Sequence, residues 1–191
     1  DVDRSYWRMA FERTGFMQLL DAQASKKFRD ELHANPPEFN IGNIRATFLE
    51  LSQQSEQMFN SGIVNVFRRL SGDYKTNDVF KIGDKVISTY MLEPNWTGGR
   101  RFRYGHAEDE INDIDRVFKI LEGKKHQPRE LSCAMNAAFK QSQNYEDGYY
   151  KARAFKNGNL HLWFKRADLI ERVNLIIARH YGGDALGKGF A

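Results

Sequence analysis

An Asn-Gly pair between two alternating, aromatic-rich runs leaves a chain few choices. The pair tolerates the positive φ of a tight two-residue turn, and the flanks carry the period of two that a half-buried strand requires. Asn157-Gly158 has this setting, inside GYYKARAFKNGNLHLWFKR over 148–166. A type I′ turn there predicts the cross-strand partners: Phe155 faces Leu160, Arg153 faces Leu162 and Lys151 faces Phe164 on one side, while Ala154 faces His161 and Ala152 faces Trp163 on the other. Phe155, Leu160, Leu162 and Phe164 make the better core face. On the opposite side two alanines leave room beside His161 and Trp163, with Lys156, Asn159 and Lys165 at the edges, so that side is the expected working surface.

A chain of 191 residues can bury a sizeable core, and 41% hydrophobic with 28% charged residues is ordinary for a globular protein. The whole is expected to form one α+β domain: a helical half over about 1–72, a mixed half over about 73–182 and a loose tail over 183–191. The net charge of +4 permits a polyanionic partner without requiring one. The single cysteine, Cys133, excludes an internal disulfide and any multi-cysteine zinc site, which fits a reducing compartment. No apolar run approaches the ~20 residues of a membrane span and no signal-peptide pattern is present, so a cytoplasmic protein with no membrane partner is expected.

In chain order, helices are expected from Ser5 to Leu32, with Tyr6, Trp7, Ala10 and Phe11 on one face and a break at Thr14-Gly15. Pro36-Pro37 stops them and Asn40 caps the next helix. That helix carries Ile41, Ile44, Phe48, Leu51, Met58 and Phe59 inward, is punctuated by Ser61-Gly62, and is followed by a turn or two bearing Ile63, Val66, Phe67 and Leu70. A polar loop over Asp73–Asn77 precedes an extended run from Phe80 to Leu92. Glu93 to Gly105, EPNWTGGRRFRYG, reads as a loop. Its Arg100, Arg101 and Arg103 suit phosphate oxygens, and Trp96, Phe102 and Tyr104 suit stacking on unpaired bases. Helices over Ala107–Leu121 and Pro128–Gln141 lead into the hairpin. A last helix starts at Asp168, and Gly182 is placed to end it.

Catalytic signatures do not survive inspection. Gly182 to Lys188 fits the opening of a phosphate-binding loop, but Gly189 stands where Ser or Thr should hold magnesium and the motif follows a helix instead of a strand. The five histidines form no metal-binding helix pair. Among the carboxylates Glu108, Asp109, Asp113 and Asp115, the pair Asp109 and Asp113 shares a helix face. With His161 it is the candidate set for a metal-dependent nuclease or toxin; a solvated helix face is the bland alternative. No nucleophile elbow or dinucleotide fingerprint occurs, and no cofactor and no catalysis of its own are expected.

Several segments together carry a resemblance: NPPEFNIGNIRATFLEL from Asn35, GIVNVFRRLSGDYKTND from Gly62, FKIGDKVI from Phe80, NDIDRVFKILEGK from Asn112 and FKNGNLHLWFKR from Phe155. They resemble a bacterial family of unknown function, the domain numbered four-nine-four-two, in the family's order across most of the chain. The resemblance implies carriage on prophages, plasmids and genomic islands, some near toxin–antitoxin loci. It also implies that longer relatives join the domain to an adenine-type DNA methyltransferase, and that further N-terminal residues precede Asp1. It carries over no catalytic residue. The expectation is therefore a nucleic-acid-binding accessory module using Arg100, Arg101, Arg103, Trp96, Phe102, Tyr104, Lys151, Lys156, His161, Trp163 and Lys165. A protein-interaction module of a toxin–antitoxin or methyltransferase system is the other class kept open.

Overall fold

The computed structural model describes residues 2–72, 81–96 and 98–187; the expected Asp73–Asn77 loop, the strand start at Phe80 and the tail from Lys188 lie outside them. The fold is α+β and mainly helical, and the chain gathers into two compact units, Asp1–Gly62 and Ile63–Ala191.

Aromatic spacing builds the first unit. Helix α1 (Val2–Thr14) ends at Gly15, whose left-handed backbone (φ 71°) turns the chain into a 3-10 segment, Phe16–Leu19. Helix α2 (Ala22–Ala34) is capped by Asp21, which accepts from the Ala24 amide at 2.8 Å. Helix α3 (Ile41–Gly72) opens on Asn40, whose side chain accepts from the Asn43 amide at 2.8 Å. Trp7, Phe11, Phe16 and Leu20 are buried, with Phe28, Phe39 and Phe48 packed on them. Phe11 is the hub: its ring meets Trp7 at 5.5 Å, Phe16 at 5.7 Å, Phe28 at 4.8 Å and Phe48 at 5.3 Å.

The expected break at Ser61-Gly62 is absent, since α3 runs through it. A helical glycine costs only about 1 kcal/mol relative to alanine, and Ile63, Val66, Phe67 and Leu70 just beyond it are all buried. Those four residues belong to the second unit.

In that unit strand β1 (Lys85–Ser88) is followed by a two-stranded ladder of β2 (Leu92–Pro94) and β3 (Arg100–Phe102), so the Glu93–Gly105 stretch is a hairpin and not the expected loop. Gly99 permits it: a Cβ there would stand 2.2 Å from the Phe139 carbonyl. Helices α4 (His106–Leu121) and α5 (Glu130–Gln141), strands β4 (Asn144–Glu146), β5 (Tyr150–Ala154) and β6 (Leu160–Phe164), and helix α6 (Ala167–Gly187) complete it. The main sheet is antiparallel in the order β1-β6-β5-β4. Helix α6 passes through Gly182, which was expected to end it and to leave a loose tail from Gly183. Glycine allows a left-handed stop but does not impose one.

The β5–β6 hairpin forms with a different turn and a register shifted by one. Tyr150 pairs with Phe164, Lys151 with Trp163, Ala152 with Leu162, Arg153 with His161 and Ala154 with Leu160. Gly158 has φ 89° while Asn157 does not have positive φ, and the Gly158 amide donates to the Phe155 carbonyl at 3.0 Å. This is a three-residue loop with a left-handed glycine and a bulge, in place of type I′. Tyr150, Ala152, Ala154, Leu160, Leu162 and Phe164 therefore share the buried face, with Phe118 of α4 5.5 Å from Tyr150 and 5.4 Å from Phe164.

Two stability measurements check this packing. Phe11→Ala is expected to cost about 3–5 kcal/mol, as for other large-to-small core truncations, read from urea unfolding followed by far-UV circular dichroism. Gly158→Ala is expected to cost at least about 1–2 kcal/mol for left-handed backbone alone, because its Cβ would also lie 2.9 Å from the Leu92 carbonyl. Asn157→Ala should cost less, and equal losses at 157 and 158 would speak for the type I′ turn instead.

Candidate functional site

The outward face of the main sheet follows from its register. Lys85 of β1 lies opposite Trp163, which lies opposite Lys151, which lies opposite Glu146. In the next row Ile87, His161, Arg153 and Asn144 succeed one another across the same four strands. Lys151 and Arg153 are exposed, and Lys85, His161 and Trp163 are half-buried. The His161 ring packs 4.2 Å from Phe155 and 5.8 Å from Trp163. Lys85 Nζ stands over the Trp163 ring at 4.9 Å and the Arg153 guanidinium over Phe155 at 5.2 Å. Exposed cation–ring contacts of this kind contribute about 0.5–1 kcal/mol each.

Among the described residues Lys85, Lys151 and Arg153 have no carboxylate within ion-pair distance. Glu146, the carboxylate of that face, is engaged by Lys165 at 2.9 Å. The resulting positive field is felt at His161, whose pKa is lowered by partial burial and by Lys85 and Arg153. Such a face attracts anions and offers them flat apolar rings.

The residues expected from the sequence separate into groups. His161 and Trp163 lie on this face as expected, and Lys151, which the type I′ register put opposite Phe164 on the core side, joins them opposite Trp163. Lys156 is exposed in the hairpin turn, and its carbonyl accepts from the Arg100 guanidinium at 2.6 Å, so Arg100 ties β3 to that turn. Arg101 is paired with its cross-strand partner Glu93 at 2.6 Å. Lys165 bonds Glu146 and the Asp147 carbonyl. Arg103 is exposed, as are Trp96 (94%) and Tyr104 (92%). Phe102 requires a correction: it is 2% exposed and packs 6.1 Å from Phe139, so it is a core residue with no ring face to offer. Alternation along β3 sends Arg101 out and Phe102 in.

Sequence reasoning missed Lys85, Arg153 and Phe155. The type I′ register had placed Arg153 and Phe155 on the core side, and Lys85 joins the face only because β1 pairs with β6, a contact 78 residues apart in its Lys85–Trp163 pair.

The carboxylates of α4 are not a solvated face either. Glu110, Asp113 and Asp115 are buried, and Asp109 is exposed. Asp113 accepts from Arg69 at 3.1 Å and from Arg116 at 3.4 Å. Asp109, Asp113 and His161 are not brought together, and among the described residues no three His, Cys, Asp or Glu side chains are grouped to hold a metal. Ser88 donates to Glu110 at 3.0 Å. Asp115 sits between the buried Tyr150 hydroxyl, at 3.3 Å, and His126 Nε2, at 3.8 Å. Burial pushes the Asp115 carboxyl up to about 6, and burial with the Arg116 and Lys119 charges pushes His126 down to about 4.

The second unit belongs, by its helices packed on one face of an antiparallel sheet, to the α+β class, and most of the chain answers to a family. A family model described as "Domain of unknown function (DUF4942)" matches residues 1–183, and the chain belongs to that family. No curated protein and no solved structure matches the chain. Among the described residues no helix is long and apolar enough to cross a membrane.

The buried pair sets an expected pH dependence. Asp115 has a folded pKa above its ordinary 3.8, so its contribution to stability falls as pH rises from about 4 to about 6. His126 has a folded pKa below its ordinary 6.5, so its contribution falls as pH drops from about 6.5 to about 4. The two slopes oppose each other. Removing one exposes the other: relative to wild type, Asp115→Asn should be more favourable near pH 7.5 than near pH 4.5 by about 2 kcal/mol, at ~1.4 kcal/mol per pKa unit. Urea midpoints at the two pH values check the sign.

Proposed function

We propose that the chain is a non-catalytic nucleic-acid-binding accessory module of a mobile genetic element, and that its binding surface is the outward face of the four-stranded sheet. One observation carries this reading: Lys85, Lys151 and Arg153, none with a carboxylate within ion-pair distance among the described residues, surround Trp163, His161 and Phe155 on the outward face of an antiparallel sheet. Cations held in no close ion pair attract phosphates by long-range field, and flat rings among them stack on bases. Arg103, Lys156, Trp96 and Tyr104 extend the set of exposed cations and rings in the same unit. The mobile-element setting follows from the family resemblance, in which such domains accompany DNA-modifying enzymes.

A protein-interaction role has its own support. Val2, Tyr6 and Met9, spaced to fall on one side of α1, are exposed. A metal-dependent nuclease is less well supported, because Asp113 is engaged by two arginines in the interior.

Fluorescence anisotropy with labelled DNA and RNA, single-stranded and duplex, at about 50 and 200 mM salt tests the reading. Affinity should fall steeply with salt, and Lys85/Lys151/Arg153→Ala should reduce the log–log salt slope by roughly 2, at about 0.7–0.9 per neutralised phosphate. Absence of binding at the lower salt would direct attention to protein partners.

A further inference from the structure

The open sheet face carries two aromatic rings, each covered by a cation and separated by a histidine. Trp163 lies under Lys85 Nζ at 4.9 Å, Phe155 lies under the Arg153 guanidinium at 5.2 Å, and His161 stands between the two rings. The planes are not parallel: His161 is inclined 37° to Phe155 and 56° to Trp163.

We propose, building on the nucleic-acid reading above, that this face takes a single strand, seating one unpaired base on Trp163 and a neighbouring base on Phe155 while Lys85 and Arg153 swing from the rings to the adjoining phosphates. Lys151, opposite Trp163 across the ladder, supplies a further phosphate contact.

Two features favour a single strand over a duplex. In a duplex, successive bases on one strand are stacked about 3.4 Å apart with their faces covered. Here the Trp163 ring is already 5.8 Å from His161, with Phe155 on that histidine's other contact at 4.2 Å, so bases using both outer rings must be splayed. Splaying is what unpaired strands permit and duplexes resist. His161 is inclined to both outer rings, so the three rings do not form one flat platform for a parallel base stack.

The ammonium and guanidinium over the rings suit this exchange. Each keeps a half-buried ring occupied by a weak contact that a base can replace, and each carries a charge that is then released beside the incoming backbone. Neither cation has a carboxylate within ion-pair distance among the described residues to hold it back. Because the ring platform makes no contact that reads the sugar, deoxyribo- and ribo-oligomers present the same chemistry to it, and the experiment separates them.

The test titrates the full chain into labelled ten-nucleotide oligo-dT and oligo-U and into a self-complementary DNA hairpin, at about 50 mM salt. Single strands are expected to bind at least about tenfold tighter than the duplex. Trp163→Ala and Phe155→Ala should each weaken single-strand binding by about tenfold, bringing the ratio of single-strand to duplex affinity towards one. Trp163→Phe, which keeps a ring, should recover most of the Trp163→Ala loss, and circular dichroism melts of each variant report whether the fold is retained. Equal affinity for single strand and duplex, or equal losses in Trp163→Ala and Trp163→Phe with the fold intact, would overturn the single-strand site while leaving a general electrostatic nucleic-acid surface standing. No binding to any of the three probes would remove both.

Discussion

Gly158 holds a left-handed backbone at φ 89°, its carbonyl accepts from the Leu92 amide at 3.0 Å, and a Cβ on it would press on the Leu92 carbonyl. One residue thus sets the register of β5 on β6 and seats the hairpin turn against β2. Both faces of the sheet follow from that register, because side chains alternate with a period of two and a slip of one exchanges cross-strand neighbours. With the observed register Arg153 lies opposite His161 and Lys151 opposite Trp163, while Ala152 and Ala154 give Leu162 and Leu160 small partners beneath the helices. Arg100, bonded to the Lys156 carbonyl, adds a second tie between the same turn and β3.

The charges of the second unit are sorted by this architecture. Glu110, Asp113 and Asp115 are drawn inside with Arg116 as a buried cation among them, and the outward sheet face keeps Lys85, Lys151 and Arg153. Burying three carboxylates against one arginine leaves the surface more basic than the formal charge of +4 suggests. Buried carboxylates persist only where donors meet them. Those donors are Ser88 on Glu110, Arg69 and Arg116 on Asp113, and Tyr150 on Asp115. The polar interior and the basic exterior are two consequences of one packing arrangement.

Element identity was largely legible beforehand. The helical stripes around Phe11 and Phe48, the Asn40 cap, the hairpin and its partner strand near Val86 all occur where their periods and turn residues put them. The misreadings have a common origin in residues that permit a conformation without requiring it. Gly62 and Gly182 were read as stops, yet both lie in helices. Asn157-Gly158 permits type I′, yet docking on Leu92 favours a longer loop. Phe102 sits between arginines in a Gly-rich stretch that reads as a loop, and its burial against Phe139 depends on α5, which begins 28 residues further on at Glu130 and packs against β3.

The sequence alone determined that this chain makes an α+β fold rich in helix, with a hairpin at its C-terminal end, because periodicity and turn chemistry are local properties of the backbone and its nearest side chains. It also determined which residue types were available for a basic, aromatic surface. Only the tertiary structure decided which of them share a face. Lys85 reaches Trp163 through strand pairing across most of the second unit, Arg101 is neutralised by Glu93 across a ladder, and Asp113 is drawn inward by Arg69 of another helix. Pairing, neutralisation and desolvation are properties of neighbours in space, and those neighbours exist only once the sheet and helices have packed.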